Sequence, residues 1–128
     1  MAIKVRRKGK DGELEAVKLL KELGFTDAHR TQQFNGLGKG DVDCPQSLPS
    51  IHFEVKRNKK LDIGTTEWTQ AIMQAVGDAG DKEWCVLWRK DGGKLWRMTF
   101  RGVHDIVTVD HNRIKAALLW LQNGRVET

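Results

Sequence analysis

Ile51-His52-Phe53-Glu54-Val55-Lys56 is the stretch on which the reading of the chain turns. It alternates strictly. Ile51, Phe53 and Val55 point to one side, and His52, Glu54 and Lys56 to the other, as successive side chains of a β-strand must. The strand therefore has an apolar face for a core and a polar face that carries an acid and a base. Glu54 and Lys56 project the same way, roughly 6–7 Å apart along the strand.

Upstream, Asn35-Gly36-Leu37-Gly38-Lys39-Gly40 is a glycine-rich loop able to approach another backbone closely. Asp41-Val42-Asp43-Cys44 follows as a short strand stopped by Pro45. If residues 41–43 pair antiparallel with residues 51–56, Asp41 or Asp43 joins Glu54 and Lys56 on one face. Two carboxylates and a lysine in one place suit a hard divalent cation, which prefers oxygen ligands and keeps several waters. Such a cation activates water and offsets charge developing on a phosphate, while the lysine orients the water or neutralises the phosphate. For Glu54 and Lys56 alone, a same-face ion pair on a solvated sheet is the competing explanation.

Farther out, residues 11–23 read as a helix capped by Asp11 and ended by Gly24, with Leu14, Val17, Leu20 and Leu23 as its apolar stripe. Glu13 lies beside that stripe, where a carboxylate needs compensation, unless it is simply a first-turn acid favoured by the helix dipole. A short strand is expected within residues 25–34. Residues 65–79 read as a second helix, with Trp68, Ile72, Ala75 or Val76, and Ala79 on its apolar face and Gln70 and Gln74 on a neighbouring one. Residues 83–89 and 94–100 form a hairpin around Lys90-Asp91-Gly92-Gly93. Residues 105–109 are a further short strand candidate. A last helix starts at Asp110 or His111 and buries Ile114, Ala117, Leu118 and Leu121. The pattern predicts an α/β domain over residues 1–128, a mixed sheet with helices packed on it.

The chain has 128 residues, 22 Lys+Arg against 17 Asp+Glu, and a net charge of +5. A basic balance points to an anionic partner, nucleic acid or a membrane surface. Residues 1–10 hold Lys4, Arg6, Arg7, Lys8 and Lys10 with no acid, which reads either as a DNA-contacting arm or as a frayed terminus. Arg57, Lys59 and Lys60 continue the charge of Lys56 beside the acids, and phosphate contacts there give affinity without reading sequence. No apolar run is long enough for a membrane span, and Met1–Lys8 leads into no apolar signal region. Cys44 and Cys85 make no disulfide framework and suit a reducing cytoplasm. Without a CxxC, a structural zinc site is not expected. Trp84, Val86 and Trp88 share one strand face, read as core or interface packing, with base stacking as the sharper alternative.

Asp41 followed by Glu54-Val55-Lys56 resembles the PD-(D/E)xK nuclease motif, with Gly40 where the name has proline. Arg7-Lys8-Gly9, Glu13, Val17-Lys18-Leu19-Leu20 and Gly24-Phe25 resemble the opening of archaeal-type Holliday-junction resolvases, so the likeness covers roughly residues 1–60. The loop 37–40 lacks the serine that often precedes the aspartate there. The resemblance implies a restriction-endonuclease-like three-layer fold. It implies Glu13, Asp41 and Glu54 as acids of a Mg²⁺ (or Mn²⁺) site, with help from the Val55 carbonyl, and Lys56 as the catalytic lysine. Gln70 corresponds to a glutamine on the following helix, and Asp43 is an understudy for Asp41. Lys4, Arg6, Arg7, Lys8, Lys10, Arg30, Lys39, Arg57, Lys59 and Lys60 are the expected DNA contacts.

The expected activity is paired hydrolysis of four-way DNA junctions in recombination and repair. A homodimer, in contact through the hairpin or the last helix, would match the junction's symmetry. No nucleotide cofactor or membrane is expected. The small size and five tryptophans suggest a phage-encoded relative acting in the host cytoplasm. A different nuclease of the same class and a non-catalytic DNA-binding module are the alternatives.

Overall fold

A computed structural model describes residues 2–31 and 41–125, with side chains from Lys10 onward. The side chains of Lys4, Arg6, Arg7 and Lys8, and the loop 32–40 with Lys39, lie outside the described residues. Helix α1 spans Ala2–Glu22. It is followed by β1 (His29–Arg30), β2 (Val42–Asp43), β3 (Ile51–Asn58), α2 (Thr66–Ala79), β4 (Glu83–Lys90), β5 (Arg97–Arg101) and β6 (Ile106–Asp110), then a single 3₁₀ turn and α3 (Ile114–Gln122). The strands form one six-stranded sheet in the order β1-β2-β3-β4-β5-β6. Every pairing is antiparallel except β3 with β4, which are parallel and joined through α2. A parallel pair needs such a crossover, whereas β4 and β5 need only the turn at residues 90–93. There Gly93 N–H bonds to Lys90 C=O at 2.9 Å and Gly92 adopts φ 83°, a conformation that favours glycine.

Helices cover both faces of the sheet. On one side Ala16, Leu19 and Leu20 of α1 and Ile114, Ala117, Leu118 and Leu121 of α3 pack on Ile51, Phe53, Val55, Leu87, Met98 and Phe100. On the other, Ala71, Ile72 and Ala75 of α2 pack on Val86 and Trp88. The indole N–H groups of buried Trp88 and half-buried Trp68 both donate to Thr99 Oγ1, at 2.9 and 3.2 Å, and Thr99 meets Thr108 at 2.8 Å. Trp88 and Trp96 are core residues, so base stacking by either is excluded. Cys44 and Cys85 are free and buried, and burial pushes the Cys44 thiol up to about 12. Among the described residues no helix is long and apolar enough to cross a membrane.

Three expectations change. Residues 2–10 are the first turns of α1 rather than an arm, since straight-chain Lys and Arg lose little rotamer freedom in a helix. The buried stripe of α1 is Gly12, Ala16, Leu19 and Leu20, and Leu14 is 47% exposed. The small Gly12 and Ala16 let the helix lie against the sheet; a Cβ on Gly12 would sit 3.6 Å from Arg57 Cβ. Finally, the His52–Glu54 side of β3 is not a solvated face. As a central strand between helices, β3 is buried on both sides, with Glu54 at 1% exposure.

Candidate metal centre

The site forms where the β2–β3 ladder ends. Val42 pairs with Phe53, and Asp41 N–H donates to Phe53 C=O at 2.9 Å. Asp41 therefore comes opposite Glu54, and its Oδ2 accepts the Val55 N–H at 2.8 Å. Its Val55 hydrogen bond and its charge interaction with Glu54 distinguish Asp41 from Asp43, which pairs with His29 on the β1 side. The Asp41 carboxyl is pushed up to about 7, by burial first and then by the negative charge of Glu54, with Glu13 adding to it. The Val55 hydrogen bond and the Lys56 charge pull the other way. Asp41, Glu54, Glu13 and Lys56, which come from three separate elements, thus share one electrostatic neighbourhood.

Each carboxylate has its own setting. Glu54 Oε1 meets His52 Nε2 at 2.9 Å, while its Oε2 is buried with no hydrogen-bond partner among the described residues. A buried carboxylate oxygen in that state is costly, and a cation is one way to satisfy it. Glu13 is held by Arg30 at 3.3 Å. Arg30, expected on DNA, thus neutralises an acid at the rim of the site.

Lys56 Nζ donates to Gln74 Oε1 at 3.2 Å. Gln74, not Gln70, is thus the glutamine at the lysine. The reason is geometric. As the crossover between parallel strands, α2 runs back against β3, so residues later in α2 lie beside earlier ones in β3. Gln70 is exposed one turn farther toward the helix start. One turn the other way, Asp78 comes to His52 and Glu54, and ligand atoms of the three lie within 4.8 Å of one another. These residues can hold a metal ion. Sequence reasoning placed His52 on the site's face but gave it no role, and missed Asp78. The signal lay in the row Gln70, Gln74, Asp78, spaced four apart along one helix face.

The basic residues divide. Lys10, Lys59 and Lys60 are exposed. Arg57 is engaged instead: it bonds Glu15 at 2.6 Å and Asp91 at 2.9 Å, and Arg89 also bonds Glu15. This ion-pair group ties α1 to β3 and β4 and corrects the expectation that Arg57 is a free phosphate contact. Comparison with protein-family models, curated proteins and solved structures finds no match to the chain.

Proposed function

We propose that the protein is a divalent-metal-dependent DNA endonuclease with a restriction-endonuclease-like fold, and that four-way junctions are its substrate. The observation that carries the proposal is the convergence of Asp41, Glu54 and Lys56, with Glu13 within charge range. The three-layer α/β architecture is compatible with that class. The donor set fits a hard cation: two crowded carboxylates, one with a buried unbonded oxygen.

Asp41 and Glu54 would hold Mg²⁺ or Mn²⁺, with help from the carbonyl of Val55, the residue after Glu54. The cation supplies positive charge against the phosphate and lowers the pKa of water. Lys56 presents its ammonium on the same strand face, where it orients the attacking water for in-line displacement and offsets phosphate charge. Gln74 fixes the lysine. Glu13, held by Arg30, adds a further acid at the rim. Exposed Lys10, Lys59 and Lys60 grip phosphates without reading bases.

Two symmetric cuts call for two active sites, hence a homodimer. Leu95 in the hairpin and Leu119 on α3 are exposed apolar side chains at the two expected dimer surfaces. The test is cleavage of synthetic four-way junctions beside linear and flapped duplexes of matched sequence. Preferred cutting of the junction in symmetric pairs is expected. Equal cutting of all three would leave a nuclease of the same class but not a resolvase, and metal-independent binding without cutting would leave a DNA-binding module.

A further inference from the structure

The all-oxygen pair Asp41 and Glu54 is not the only donor group around Glu54. On the α2 side, His52, Glu54 and Asp78 bring a nitrogen and two carboxylates within 4.8 Å of one another. Glu54 is buried, and its Oε2 lacks a hydrogen-bond partner among the described residues. The 2.9 Å separation of His52 Nε2 and Glu54 Oε1 is also a reasonable edge between two ligands of one cation, given metal–ligand bonds of about 2.0–2.2 Å. Asp78 is exposed, so a cation has an entry path and room for water in the remaining position.

We propose that His52, Glu54 and Asp78 form a second cation site, selective for nitrogen-preferring transition metals such as Zn²⁺, which shares Glu54 with the Asp41 centre. Imidazole in the donor set favours Zn²⁺ over Mg²⁺, and the affinity order of divalent metals runs the same way. Occupancy draws Glu54 away from Asp41, so Zn²⁺ antagonises Mg²⁺-dependent activity. The antagonism rests on the proposed nuclease function; the binding does not.

The test is isothermal titration of Zn²⁺ into the metal-free full chain, with Co²⁺ as a spectroscopic stand-in. Wild type is expected to bind one Zn²⁺ and to give visible Co²⁺ bands. Asp78→Asn and His52→Gln should each lower Zn²⁺ affinity by about 10-fold or more, while Asp41→Asn changes it by less than about 3-fold. Asp78 is a surface residue, so its variant folds even if replacing buried His52 does not. Absence of stoichiometric Zn²⁺ binding, or equal losses in Asp41→Asn and Asp78→Asn, overturns the second site. If Zn²⁺ binding follows the expected pattern but Mg²⁺ supports no DNA cleavage, the metal site stands and the nuclease proposal falls.

Discussion

Asp41 Oδ2 accepts the backbone N–H of Val55 at 2.8 Å, and that bond joins the residue after the glycine-rich loop to the middle of the Glu54-Val55-Lys56 run. It fixes a carboxylate opposite Glu54 where the β2–β3 ladder ends. The arrangement keeps like charges close, which is unfavourable without a cation and useful with one.

Asp41 gives the metal-free protein a characteristic pH dependence. Its carboxyl titrates near 3.8 when free and at about 7 in the fold, through burial and the Glu54 charge. The folded chain therefore holds the proton more tightly than the unfolded one. The stabilisation is complete below pH ~4 and lost as pH rises toward ~7. Millimolar Mg²⁺ binds the ionised form and should raise Tm by several degrees at about pH 8 and hardly at all at about pH 5. Asp41→Asn should flatten both trends in scanning calorimetry; an unchanged Mg²⁺ shift in that variant would remove Asp41 from the site.

Lys56→Ala should lower cleavage about 10²–10⁴-fold while leaving junction affinity nearly intact. Gln74→Ala, which frees the lysine, should lower it less, and Gln70→Ala should leave it unchanged. Single-turnover rates separate the three. A larger loss at Gln70 than at Gln74 would contradict the placement of α2 against β3.

Thr99 carries two indole N–H groups at once. Thr99→Val keeps the shape and removes the acceptor, so it should destabilise the fold by roughly 2–4 kcal/mol. Thr99→Ser keeps the oxygen and should restore most of that loss in denaturant unfolding.

Glu15 anchors α1 through Arg57 and Arg89. Glu15→Gln should cost about 1–2 kcal/mol, less at high salt because the group is partly exposed. A double-mutant cycle with Arg57→Met measures the coupling, and additivity would show that the pair contributes nothing.

Much of this was legible in the sequence. The alternation of Ile51 to Lys56, the antiparallel return from Asp41 and the turn at Gly92 rest on local rules, and all three appear as expected. The burial of Ile114, Ala117, Leu118 and Leu121 on α3 followed directly from helical spacing. What was not legible depends on packing between elements. Leu14 and Ala16 are both apolar enough for a stripe, and only the approach of α1 to β3 selects Ala16. His52 and Glu54 read as a wet face because they are polar, yet α2 closes over them. Gln70 and Gln74 are equivalent in sequence, and the direction of α2 against β3 decides between them. The ion pairing of Arg57 was hidden for the same reason, since Glu15 and Asp91 lie far from it in the chain.

The most direct measurement is Mg²⁺-dependent cleavage of an end-labelled four-way junction by wild type and Glu54→Gln, with junction binding followed in parallel. Cutting that requires Mg²⁺ in wild type and vanishes in Glu54→Gln, with binding retained by both, is the predicted result. Glu54→Gln cutting at the wild-type rate, or wild type bound to the junction with Mg²⁺ and leaving it intact, would contradict it.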